Sequence, residues 1–208
     1  MKFVLFVEGQ TEKKAVPAFL KRWLDTRLNQ RVGIKPVRYH GWTDMIDDLP
    51  KKADMYLNGS TADDIIAVIA LLDLYGPTFY PSHLELAQER LEWARKELEK
   101  RVNHDRFRMF FAVHELEAWL LSDPNIFPSA IKSAFPGKIG RPEEVNFDEP
   151  PSKLLDKLYE EKTKSKYKKI THGKDLFDRL DPDSAYQKCP YLRMLLNTLL
   201  QLAQDKGL

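Results

Sequence analysis

Three apolar runs in this chain each end on a carboxylate, and that recurrence limits the fold more than any other feature. Lys2 to Val7 is followed at once by Glu8-Gly-Gln-Thr-Glu12; Ile65 to Leu72 runs into Asp73-Leu-Tyr-Gly76; Phe107 to Val113 runs into His114-Glu-Leu-Glu-Ala-Trp119. The middle run is isoleucine, alanine, leucine and valine without polar alternation, as in a strand covered on both faces, and parallel sheets sandwiched between helices need such strands. In an open sheet of that kind ligands collect in the crevice outside the carboxyl ends of the strands. An acid delivered there three times is placed for a metal or a phosphate-bearing substrate.

Helical patterns alternate with these runs. Thr11 is a candidate cap for a helix through Ala15, Phe19, Leu20, Trp23, Leu24 and Leu28, with Pro17 predicting a late start or a kink. Leu84 to Val102 carries one apolar stripe at helical spacing, Ile34 to Tyr39 reads as a strand, and Thr43 to Leu57 as a helix. Strand-helix alternation predicts an α/β fold with a mostly parallel sheet flanked by helices. Pro128, Pro136, Pro142, Pro150 and Pro151 then mark an irregular connection, after which Leu154 to Tyr159 and Tyr191 to Leu202 are again helical. The expected division is an α/β domain over residues 1–125 and a proline-rich connection with a C-terminal helical appendage over 126–208.

Composition narrows the chemistry. A single cysteine, Cys189, excludes an internal disulfide and a thiolate zinc site, so a reducing cytoplasm is the expected home. No apolar stretch approaches the roughly 18–20 residues that span a bilayer, and the N-terminus enters a strand without a signal-like run, so we expect a soluble, unexported chain. The formal charge of +2 is nearly balanced, yet Lys162, Lys164, Lys166, Lys168, Lys169 and Lys174 follow one another without an acid. Interleaved with Tyr167 and His172, that segment reads either as a solvated loop or as a grip on a phosphate backbone, with Lys166, Lys168 and Lys169 the candidate contacts. Phosphate-binding glycine loops and nucleophile elbows are absent from the sequence.

Glu8, Asp73, Glu115 and Glu117 are hard oxygen donors of the kind that hold Mg2+ or Mn2+, if the strands that bear them are neighbours. Otherwise each is an ordinary polar residue where a strand meets solvent. If 114–117 is helical, His114 and Glu117 share a face; if it is extended, Glu115 and Glu117 do. His114 is suited to act as a general base, or to tie one strand end to its neighbour.

Val7 to Glu12, Asp73 to Gly76, His114-Glu-Leu-Glu-Ala-Trp-Leu-Leu-Ser-Asp123 and Pro150-Pro-Ser-Lys153 resemble, in that order, the signatures of the DUF4276 family. The resemblance covers nearly the whole chain and implies a Toprim-like sheet, with Glu8 as the first-strand glutamate and Asp73 as the first acid of an Asp-x-Asp motif. Tyr75 stands where that motif has its second aspartate, and Glu115 or Glu117 is the candidate replacement. What the resemblance implies is a Mg2+- or Mn2+-dependent nuclease acting on DNA or RNA, in prokaryotic antiphage defence beside a partner ATPase. Glu8, Asp73, Glu117, His114 and Lys153 would be its catalytic residues, Lys153 neutralising charge on the phosphoryl group. The alternative is a binding module for nucleic acid or a protein partner on a degenerate Toprim fold.

Overall fold

The computed structural model describes residues 1–135, 139–144 and 150–208; of the five prolines above, Pro136 lies outside them. Strand β1 (Lys2–Val7) leads into helix α1 (Gln10–Asp25), followed by β2 (Gly33–Arg38), α2 (Trp42–Leu57), β3 (Ile65–Asp73), α3 (Ala87–Val102) and β4 (Phe107–Ala112). The strands pair in parallel in the order β2-β1-β3-β4. The three acid-bearing strands are therefore side by side, so Glu8, Asp73 and the 114–117 segment emerge along one rim.

Side-chain alternation divides the core into two layers. Phe3, Leu5 and Val7 of β1 face one apolar cluster together with Phe19, Trp23 and Leu24 of α1, whereas Val4 and Phe6 face the other with Leu49 of α2 and Leu98 of α3. In β3 the alternation slips at Ile66 and Ala67, which both join the α1 layer. There the register against β1 shifts from Lys2↔Ile65 to Val4↔Val68, one extra residue in β3. Because α1 lies on one face and α2 and α3 on the other, the winding reverses between β1 and β3. That reversal is where open α/β sheets keep their ligand crevice, and Glu8 and Asp73 flank it.

The remaining elements are short helices α4 (Glu117–Leu120) and α5 (Ser129–Lys132), then α6 (Pro151–Thr163), a π-helical turn at Lys169–Gly173, α7 (Lys174–Arg179), α8 (Pro182–Lys188) and α9 (Pro190–Gln204). They extend the α1 layer: Leu155, Phe177, Leu192 and Leu196 join its apolar cluster, and the Arg22 guanidinium of α1 donates to the carbonyls of Phe177 at 2.7 Å and Leu180 at 2.9 Å. The sheet with flanking helices and a C-terminal helical region is the architecture expected from the sequence.

Local expectations are corrected in three places. Helix α1 starts at Gln10, with Gly9 rather than Thr11 at its N-cap, and contains Pro17 without a late start. Burial of Val16, Phe19, Leu20 and Trp23 against the sheet outweighs the hydrogen bond that Pro17 cannot make. Helix α3 begins at Ala87, three residues after Leu84, where the Glu89 carboxylate accepts the Leu86 N–H at 3.2 Å. The segment after β4 is neither helical nor extended as a whole, because His114 adopts φ 63°.

Candidate metal centre

Glu8 follows β1 directly and its half-buried carboxylate accepts the backbone N–H of Trp42, the first residue of α2. Burial, then the charge of Glu12, raises its pKa above the ordinary glutamate value. Gly9, extended at φ −120° and ψ −178°, lets α1 begin so abruptly that the Glu12 side chain folds back over it. A Cβ at residue 9 would collide with that carboxylate. That carboxylate is the end of a flexible side chain and could swing aside, so the glycine is not strictly required there; the Glu12 pKa is also raised, chiefly by burial.

Asp73 ends β3 and its Oδ1 accepts the N–H of Leu116 at 3.1 Å. Parallel pairing continues past the strand, with Leu74 N–H on the Ala112 carbonyl and Tyr75 N–H on that of His114, both at 2.9 Å. The left-handed His114 then turns the backbone so that α4 begins at Glu117. This kink, and not a common helical or extended phase, brings Glu115 and Glu117 to the rim together. Glu115 Oε2 accepts the Ser152 N–H at 2.9 Å, so this carboxylate also caps the first turn of α6. Asp73 is held well above the usual aspartate range by burial and by Glu12.

The cation at the centre of these acids belongs to the protein. Lys169 Nζ lies 3.0 Å from Glu115 Oε1 and 3.3 Å from Glu117 Oε2. Burial alone would lower this lysine, but the charges of Glu117, Asp73 and Glu115 outweigh it and raise its pKa. Glu117 is pushed up to about 7 by burial, against the pull of Lys169, and its Oε1 accepts a hydrogen bond from the Tyr167 hydroxyl at 3.4 Å. Tyr167 and Lys169 are delivered by the stretch entering the π-helical turn, which is pinned where Lys168 N–H donates to His172 Nδ1 at 3.0 Å.

Chemically this is an all-oxygen, hard donor set with an ammonium as its resident cation. Such donors suit Mg2+ or Mn2+, and the ammonium marks where positive charge is stabilised. Among the described residues, no group of three or more histidine, cysteine, aspartate or glutamate side chains surrounds one point closely enough to chelate a metal as it stands. Carboxylates and lysine would have to rearrange around an ion.

Of the residues singled out from sequence, Glu8, Asp73, Glu115, Glu117 and Lys169 come together. His114 is buried nearby but hydrogen-bonds to the backbone of Glu143, which fits a tie between segments, and burial lowers its pKa. Lys153 is exposed one residue beyond Ser152, while Lys166 and Lys168 are exposed on either side of Tyr167. Glu12 escaped the sequence reading. Its signal was its place four residues after Glu8 across a glycine, but an acid in a first helical turn ordinarily reads as a partner of the helix dipole.

A family model described as "Domain of unknown function (DUF4276)" matches residues 7–200. Among solved structures, the C-terminal region of the Burkholderia pseudomallei OLD protein is similar at 21% identity, over 94% of this chain and 95% of that one, with a TM-score of 0.50. The C-terminal region of the Xanthomonas campestris pv. campestris OLD protein aligns at 18% identity, over 99% of this chain and 98% of that one, with a TM-score of 0.47. No curated protein matches the chain. At such identities the Burkholderia likeness speaks for the Toprim-like fold alone.

Proposed function

This chain belongs to the DUF4276 family, and from that premise we propose that it is a Toprim-type, Mg2+- or Mn2+-dependent phosphodiesterase acting on nucleic acid. The observation that carries the reading is the convergence of Glu8, Glu12, Asp73, Glu115 and Glu117 on one ammonium at the switch point of a parallel sheet. When bound, a divalent ion would activate water and stabilise the leaving oxygen. Glu8, Asp73 and Glu117 would hold it, with Glu115 and Glu12 beside them. Glu8, raised by burial, is alternatively suited to take the proton of the attacking water. Lys169 is the cation placed to meet a phosphoryl oxygen, a role that falls to it rather than to exposed Lys153. Lys166 and Lys168, both exposed, are suited to grip the flanking backbone.

The family resemblance extends this reading to prokaryotic antiphage defence beside a partner ATPase. That the Burkholderia fold neighbour is itself the C-terminal region of a longer protein supports a unit that works in company. A second reading, a noncatalytic binding module, is favoured by Tyr75 in place of a second aspartate and by the lysine already neutralising the acids.

Calorimetric titration of Mg2+ and Mn2+ into the protein, Glu8→Ala and Asp73→Ala, with and without a short oligonucleotide, separates the two. Binding lost in both variants while their folds persist supports the nuclease. No binding to the unmodified chain in either condition overturns it in favour of the module.

A further inference from the structure

Beside the acidic rim lies a group of aromatic side chains that the metal centre does not use. The segment from Leu74 to Leu86 leaves β3 directly after Asp73 and displays Tyr75, Phe79 and Tyr80; Trp42 of α2 and Trp93 of α3 flank it. Trp42 and Phe79 have ring centroids 5.7 Å apart, Phe79 and Tyr80 4.5 Å, and Phe79 and Trp93 6.1 Å. The Arg90 guanidinium lies 5.6 Å from the Tyr80 ring centre. Trp42, Phe79, Tyr80 and Trp93 are partly buried, packed at the margin of the layer on the α2 and α3 side, and Tyr75 is 42% exposed.

Backbone hydrogen bonds join these residues to the site at two points. Trp42 gives its backbone N–H to Glu8, and Tyr75 stands two residues beyond Asp73, its own N–H on the His114 carbonyl. The Tyr80 hydroxyl donates to the Leu74 carbonyl at 3.2 Å, and Arg90 Nε to the Leu84 carbonyl at 2.8 Å, so the segment is tied down in this orientation. Lys169 sits among the acids, paired with Glu115 and Glu117, and the stretch that delivers it carries the exposed Lys166 and Lys168. The acids are thus bordered by a lysine-bearing segment and by an aromatic one.

We infer that Tyr75, Trp42 and their neighbours form a stacking platform for unpaired bases, so that the substrate is single-stranded nucleic acid whose backbone lies on the lysine side. The inference rests on the nuclease reading for the fate of the bound strand, but not for its binding. Planar aromatic surface recognises the face of any base, and in a duplex those faces are already stacked on one another. The position of Tyr75, two residues past Asp73, then puts an aromatic ring where the motif's second carboxylate would be, trading an acid for a base contact.

The test uses the intact chain in chelator, with tryptophan emission as the signal. Trp23 and Trp119 are 3% and 1% exposed and give a silent background, leaving Trp42 and Trp93 to report. A short oligothymidylate is expected to quench emission saturably, and a blunt duplex of the same length is not. Tyr75→Ala, at an exposed position that spares the core, should weaken oligothymidylate binding about 5- to 150-fold, and Tyr75→Phe should restore it. Equal response to duplex and single strand, or none to either, overturns the platform. If the platform fails while metal binding persists, metal-dependent cleavage stands without strand preference. If quenching persists while calorimetry finds no metal, the platform is supported and the nuclease reading falls.

Discussion

At the scale of single residues, the centre is governed by how few positive groups face its acids. Lys169 joins Glu115 and Glu117 directly, so Lys169→Met should lower stability by about 1–3 kcal/mol in metal-free buffer. That is less than for a fully buried pair, because the lysine side chain is 42% exposed. Thermal melts with and without Mg2+ check it, since an added cation should recover part of the loss. Glu143 offers a pH test away from the centre. Its buried carboxylate accepts the N–H groups of Tyr191 at 2.8 Å and Leu192 at 3.1 Å, and burial raises its pKa from 4.5 to about 7. Between those values the folded state holds the proton and the unfolded chain does not. This group therefore favours folding most below pH 4.5, loses that advantage up to about pH 7, and adds no further slope above it. Glu143→Gln, which cannot titrate and keeps an acceptor oxygen for only one of the two N–H groups, should lower stability overall but flatten the dependence of Tm on pH across this window, by about 2–3 kcal/mol in stability.

At the scale of elements, the turn between β4 and α4 decides the site. His114 at φ 63° occupies backbone space that glycine enters freely and β-branched residues do not. His114→Val should therefore destabilise more than His114→Gly by at least about 1 kcal/mol, measured by denaturant unfolding, although both lose the tie to Glu143. The same turn shows what the sequence could and could not convey. Buried strands are visible as uninterrupted apolar runs because two helical layers cover them, and Asp73 stands out because such a run stops at it. The phase of Glu115 against Glu117 was ambiguous because it depends on one left-handed residue that no periodicity encodes. Glu12 was hidden by looking like a helix-dipole partner. Lys169 was seen only as one lysine among several, since its pairing with residues more than fifty positions earlier is a product of the fold.

At the scale of the whole molecule, the layer on the α1 side is shared by β1, β3, α1 and the helices after residue 150. With so much common apolar surface, heat should unfold sheet and C-terminal helices in one transition with equal calorimetric and van't Hoff enthalpies. Arg22→Ala, which removes the bonds to Phe177 and Leu180, should lower the midpoint without splitting that transition. The order of the acids and of Lys169 along the chain has a consequence for synthesis. A ribosome releases Glu8, Glu12, Asp73, Glu115 and Glu117 well before residue 169, and domains form from the N-terminal side as they emerge. A sheet that assembled on the nascent chain would leave these acids in water, hydrated and mutually repelling, until translation delivers the segments that cover them and the ammonium that offsets their charge.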